Sequence, residues 1–172
     1  MFNFLIRKFN TFKTAVMKKL ELILIIGAVV GLVMNLFNVP LDSLIVAVFL
    51  ITLGCLYFYF GFALFNDIRF RDIFKADPYK GLGIWRILIA IGTGIASSWL
   101  TIGFMFSILN YPMAGTFLIV GVVFAAIMII LALIRNARDK NQFYRNIILK
   151  CLVFIIIGVV FLMLPEQIFG SI

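Results

Sequence analysis

Along this chain hydrophobic and polar positions are segregated into blocks the length of whole helices. Apolar runs of about 20 residues, enough to cross a ~30 Å hydrocarbon layer at 1.5 Å per residue, are separated by short polar clusters. LELILIIGAVVGLVMNLF predicts a first span over 20–37, stopping at Asn38-Val39-Pro40. Proline lacks a backbone donor and drives the residue before it out of the α region, so a helix ends there. The next run predicts a second span over 41–65, with Asp42 and Ser43 as capping-type side chains at its start. NDIRFRDIFKADPYKG (66–81) reads as a short interfacial helix and a turn closed by Pro78. A third span over 82–109 has Trp85 as belt aromatic and Arg86 as snorkelling base, and ends at Asn110-Tyr111-Pro112. A fourth covers 113–134, RNARDKNQFYR (135–145) is a basic loop, and a fifth covers 146–164, with Lys150 snorkelling and Pro165 as its stop.

Ahead of these, Phe2, Leu5, Phe9, Phe12 and Val16 recur at helical spacing with Arg7, Lys8, Lys13 and Lys18 largely off that stripe. Residues 1–19 therefore predict an amphipathic helix lying in the headgroup plane. The alternative is that Met17 begins the biological product, since MKKLELILIIG is an ordinary start for a membrane protein. The predicted fold is an all-α integral membrane protein: five transmembrane helices in two tandem antiparallel hairpins plus one C-terminal helix. Residues 1–19 form the interfacial segment, and 20–172 form one membrane domain with repeat one at 20–81, repeat two at 82–145 and a last helix at 146–165.

Composition agrees with that pattern. Sixty-five per cent of the 172 residues are hydrophobic and the mean hydropathy is +1.20, against roughly 45–50% apolar in a soluble domain. The net charge of +8 could indicate nucleic acid, but the 15 basic residues are explained by topology. They fall into the N-terminal segment, the connection between spans two and three with the helix entrance after it, and the connection between spans four and five with the start of the last helix, leaving both hairpin tips and the tail PEQIFGSI without any. Positive loops stay cytoplasmic, which predicts a multi-pass protein of a bacterial inner membrane, N-terminus inside and C-terminus periplasmic.

The two Asn-x-Pro sites point to an internal repeat. At an offset of 72, GLVMNLFNVPLDS (31–43) aligns with GFMFSILNYPMAG (103–115), pairing Gly31 with Gly103, Asn38 with Asn110 and Pro40 with Pro112. ALFNDIR (63–69) and ALIRNAR (132–138) close the two units. Each Asn can hydrogen-bond backbone groups freed at a helix end and each Pro forbids continuation, so Asn38, Pro40, Asn110 and Pro112 are read as hairpin turns.

The phrase FSILNYPMA (106–114) and the apolar run after it, FLIVGVVFAAIMII (117–130), resemble the membrane hairpin of the gliding-motility L-type (GldL-like) proteins of Bacteroidota. There a phrase like F-K-I-M-H-W-P-G-A turns between two stator helices of a proton-driven motor. In this chain Asn110, Tyr111 and Ser107 stand where that family has His, Trp and Lys. The resemblance implies shared hairpin ancestry, duplicated here, and a Bacteroidota-like origin, without the motor's chemistry.

Candidate chemistry is sparse. There is no histidine, and Cys55 and Cys151 lie in apolar runs as small buried hydrophobes without a disulfide. Neither a nucleotide loop, a metal spacing nor a nucleophile with its base is present, so the sequence suggests no enzyme, catalytic residue, metal or cofactor. Glu21 is explained by Lys18 and Lys19 beside it. Gly27, Gly31, Gly92, Ala96, Gly121 and Ala125 are small residues at packing spacing, serving contacts within the chain or with a second copy. Thr93, Ser97, Ser98 and Thr101 either bond nearby carbonyls or line a narrow polar path. The expected partners are the lipid bilayer and either other membrane subunits or a second copy, with no nucleic acid. The reading is a non-catalytic scaffold or accessory subunit; the alternatives are a small oligomeric transporter or pore, and an immunity or defence protein.

Overall fold

Met17, Glu21, Leu24, Ala28 and Gly31 are buried while most of the aliphatic residues between them face outward. Their spacing of alternate fours and threes draws one stripe along a helix, and that stripe packs the first helix onto the second. The computed structural model describes residues 2–37, 39–68, 70–75, 77–79 and 81–163, with side chains from 16 onward except that of position 70. Among these residues the structure is all-helical: α1 (Phe2–Leu36), α2 (Asp42–Phe65), α3 (Ile84–Ile108), α4 (Ala114–Asp139) and α5 (Gln142–Met163). Two 3₁₀ turns, Phe70–Asp72 and Asp77–Tyr79, lie between α2 and α3.

Successive helices pack as antiparallel neighbours, and α5 turns back onto α3, so α3 contacts α2, α4 and α5. It is the central helix, and 61% of its most apolar stretch is buried, against 17% in α5. The outer helices present aliphatic side chains outward: Ile23, Ile26 and Val30 on α1, Ile119 and Ile127 on α4, Leu149 and Ile156 on α5. Among the described residues four helices, α2 to α5, are long and apolar enough to cross a bilayer.

Several boundaries differ from the sequence expectation. The backbone of α1 runs without interruption through position 20; of the expected amphipathic stripe Val16 is exposed, and the side chains before it lie outside the described residues. α4 does not end at 134 but continues to Asp139, because arginine and alanine sustain a helix after it leaves an apolar layer. Lys140, at φ +43°, breaks it, and the side chain of Asn141 accepts the backbone N–H of Phe143 at 3.0 Å to start α5. Most of the expected basic loop is therefore helix. The segment after α2 holds two single turns in place of a short interfacial helix; Asp67, at φ +57°, turns the chain as soon as α2 ends. There Tyr79 donates to the Ile73 carbonyl at 2.7 Å, and burial raises its hydroxyl pKa above the ordinary value.

The two hairpin turns share their bonding. After α3 the N–H of Tyr111 reaches the Phe106 carbonyl at 2.8 Å and that of Asn110 reaches Ser107 at 3.3 Å, with Asn110 in the left-handed region at φ +53°. This is a Schellman ending, in which Asn supplies a backbone conformation and not a side-chain bond. After α1 the N–H of Val39 reaches the Met34 carbonyl at 3.1 Å, the same bond 72 positions earlier. Asn38 itself, Pro165 and the tail lie outside the described residues. Asp42 does not cap α2 as its N-cap; that position is Leu41, at φ +72°. Instead Asp42 accepts from Ser43 and from the Asn35 amide at 2.8 Å, which ties the end of α1 to the start of α2.

Candidate functional site

Three helices bring Glu21, Tyr57 and Lys150 together. Tyr57 stands eight residues before the end of α2 and Lys150 eight after the start of α5, so each lies about 12 Å along its helix from the same end of the bundle. Arg86 fixes which ends coincide: from the start of α3 its Nε donates to Asn66 at the end of α2, at 2.8 Å, and its guanidinium lies 4.5 Å from the ring of Phe143 on α5. Glu21 enters from the buried stripe of α1.

The geometry is a clasp. The Tyr57 hydroxyl donates to Glu21 Oε1 at 2.6 Å, and Lys150 Nζ forms an ion pair with the same oxygen. Tyr57 is fully buried, stacked on Phe65 at 6.3 Å and edge-on to Phe154 at 5.6 Å. The Lys150 ammonium lies 4.7 Å from the Phe65 ring and 5.3 Å from the Tyr57 ring. A carboxylate at this depth needs both a countercharge and a hydrogen-bond donor to offset its desolvation, and it has both. The aromatic faces add attraction for the cation. Chemically the set can hold a charge inside the bundle, pass a proton between carboxylate and amine, or lock three helices together.

Three sequence assignments are thereby corrected. Glu21 is not matched by Lys18, which pairs with Asp67 at 2.6 Å; it turns inward to partners 36 and 129 positions away. Lys150 does not snorkel outward; it points to the carboxylate. Arg86 likewise is held by Asn66 and Phe143. The missed signal was the stripe itself, in which Glu21 takes a place among Met17, Leu24, Ala28 and Gly31. A carboxylate in a buried stripe calls for a partner from another helix.

The other expected residues sit inside the bundle. Thr93, Ser97, Ser98 and Thr101 are at most 3% exposed, and Thr101 donates to the Ser97 carbonyl at 2.7 Å. Thr93 is buried beside the Cys151 thiol, and no well-formed hydrogen bond reaches its hydroxyl among the described residues. Both cysteines are free; Cys151 is buried, whereas Cys55 is exposed on α2. Gly27 faces the Phe49 ring and Gly92 the Met128 thioether. A Cβ on Gly31 would lie 3.0 Å from the backbone N of Val46, and one on Gly121 2.9 Å from that of Leu100. Ala96 and Ala125 are buried, each 1% exposed. α2 and α3 also approach closely at a pair absent from the sequence expectation: a Cβ on Gly61 would lie 2.7 Å from the Cα of Gly94, and one on Gly94 2.6 Å from the Tyr57 carbonyl. Pro40, Asn110 and Pro112 stand at the hairpin tips, far along the helices from the clasp.

Fold and site together are those of a multi-pass membrane helix bundle whose apolar helices contact lipid and whose deepest described charges are satisfied from within. No protein-family model, curated protein or solved structure matches the chain.

Proposed function

We propose that the protein is a non-catalytic, five-span subunit of a bacterial inner membrane, serving as a scaffold or accessory chain in a membrane complex. The observation that carries this reading is the enclosure of the carboxylate of α1 and the hydroxyls of α3 inside the bundle. Glu21 is consumed by Lys150 and Tyr57, and the hydroxyls of α3 are packed away from any surface. An α2 of 24 residues is about 36 Å long, so a level ~12 Å from its end falls within a ~30 Å hydrocarbon layer. At that depth the clasp docks α1 onto the bundle as the fifth span. The one-sided distribution of basic residues supports a cytoplasmic N-terminus and periplasmic C-terminus.

The two hairpins are a duplication. The Gly31 contact with Val46 recurs as Gly103 with Leu118, and the Val39–Met34 bond as Tyr111–Phe106, each pair displaced by 72. The resemblance of the second hairpin to the gliding-motility L-type proteins supports common hairpin ancestry in a Bacteroidota-like source.

A second reading, a small proton-coupled transporter, is favoured by one observation: a carboxylate, a phenol and an amine in mutual contact at membrane depth. Flux assays separate the two. Proteoliposomes of the scaffold stay as tight to protons and small solutes as protein-free vesicles. A flux that Ser97→Leu or Glu21→Gln abolishes would replace it with the transporter.

A further inference from the structure

At the end of the bundle where α3 begins and α4 ends, Trp85, Leu131, Ile134, Arg135 and Arg138 line an open cavity of about 180 Å³. We propose that this cavity binds the headgroup phosphate of an anionic membrane lipid. It rests on the bilayer setting of the helices and not on the scaffold reading, so a flux result leaves it untouched.

The lining residues of α4 recur at helical spacing and form one face. Along that face the chemistry changes in the order a lipid presents it. Leu131 and Ile134, the latter 62% exposed, belong to the apolar span, and Arg138 lies about 10 Å further out than Leu131. Trp85, 45% exposed, closes the opposite wall from α3 at the depth where indole rings settle in a bilayer. A free phosphate has no use for the aliphatic wall; an esterified one carries the glycerol and acyl chains that would cover it.

The cavity carries the charge of two arginines. Arg135 lies with its guanidinium 4.1 Å from the Trp85 ring, a contact that orients the group without neutralising it. Among the described residues no carboxylate pairs with Arg135 or Arg138: Asp139 contacts Tyr144, and the carboxylates of the ion pairs belong to Lys18, Lys75 and Lys150. Arg86, nearest in sequence to Trp85, is committed to Asn66 and Phe143. Two guanidinium forks beside an aliphatic wall match phosphate geometry as two ammonium groups would not. The last carbonyls of α4 repel an anion, so binding depends on the arginines themselves. Basic pockets between spans are where anionic headgroups are held.

The test uses the full chain carrying Trp99→Phe, which leaves Trp85 as the single indole, in phosphatidylcholine vesicles holding a minor fraction of brominated lipid. Brominated phosphatidylglycerol should quench Trp85 more strongly than the same fraction of brominated phosphatidylcholine. Each arginine should account for about fivefold of that enrichment. Arg138→Gln, at an exposed position, should remove its share with the unfolding temperature unchanged, and adding Arg135→Gln should remove the rest. Arg145→Gln, on α5 outside the cavity, should retain the preference. Equal quenching by the two lipids overturns the proposal, as does a loss with Arg145→Gln as large as with Arg138→Gln. Displacement of the preference by inorganic phosphate would give the cavity to a free anion and overturn the lipid assignment.

Discussion

The two hairpins, α1–α2 and α3–α4, are alike at their tips and unlike at mid-depth. Each turns on the same long backbone bond, and each packs a glycine of its first helix, Gly31 or Gly103, against a buried aliphatic 15 residues on. At the same offset of 72, however, Glu21 corresponds to Thr93 and Tyr57 to Ile129. The helix that distinguishes them is α5, which presents Lys150 to Glu21 and, one residue later, Cys151 to Thr93. The second hairpin is held by α5 through broad packing of α4 and α3, whereas α5 reaches α1 through the ion pair. A tip is fixed by backbone sterics that any such turn shares; a mid-depth contact is set by which side chain a neighbour offers. The same frame can therefore carry a charged joint on one side and an uncharged one on the other.

Breaking the charged joint should have the largest effect. Lys150→Met leaves the Glu21 carboxylate in the bundle with only Tyr57 as donor, and an uncompensated buried charge costs about 3–5 kcal/mol. A large fall in the unfolding temperature in detergent is expected, together with increased labelling of cysteines placed on α1. Adding Glu21→Leu should recover most of the loss, because replacing both members of a buried pair by apolar residues is often neutral. The corresponding change in the other hairpin, Cys151→Ala, should cost much less. If Lys150→Met and Cys151→Ala fell equally, the contrast between the two joints would be gone.

The shared part of the comparison is sharpened by two matched substitutions. Gly31→Ala would place a Cβ 3.0 Å from the Val46 nitrogen, and Gly103→Ala one 3.0 Å from that of Leu118. Both require the helices to part by a few tenths of an ångström, at a cost of about 1–3 kcal/mol, similar in the two. A twofold disparity in the loss of unfolding free energy would argue against equivalent frames.

How far the chain could be read in advance follows the same division. The apolar blocks and the hairpin ends near 37 and 109 were visible because length and proline act locally. The partners of Glu21 were not, because Tyr57 and Lys150 are brought there by the order in which five helices pack, and Lys18 and Lys19 offered a nearer explanation. The end of α4 was misplaced for a different reason. Charge at Arg135 and Arg138 ends an apolar run without ending a helix. Gly61 and Gly94 escaped notice because their meeting is a contact between helices, not a spacing within one.

Smaller effects remain on the uncharged side. Thr93 carries a buried hydroxyl that no well-formed bond satisfies, so Thr93→Val exchanges it for a methyl of nearly equal volume. Removing an unsatisfied polar group in this way should leave stability unchanged or raise it by about 1 kcal/mol. A loss of that size would instead show that the Cys151 thiol is a true partner.

The tips give the finest test, since there the two hairpins meet the left-handed region with different residues. Asn110 adopts φ +53° with a side chain that tolerates it, whereas Leu41, just past the first turn, adopts φ +72° with one that does not. Glycine has no Cβ to strain at either position. Asn110→Gly should therefore be nearly neutral and Asn110→Ala should cost about 0.5–1 kcal/mol, while Leu41→Gly, which removes a side chain 70% exposed, should gain a similar amount. The opposing signs are the useful part: they come from backbone conformation alone, so their appearance in matched unfolding curves would show the turns limited by φ and not by the side chains of Val39 and Tyr111.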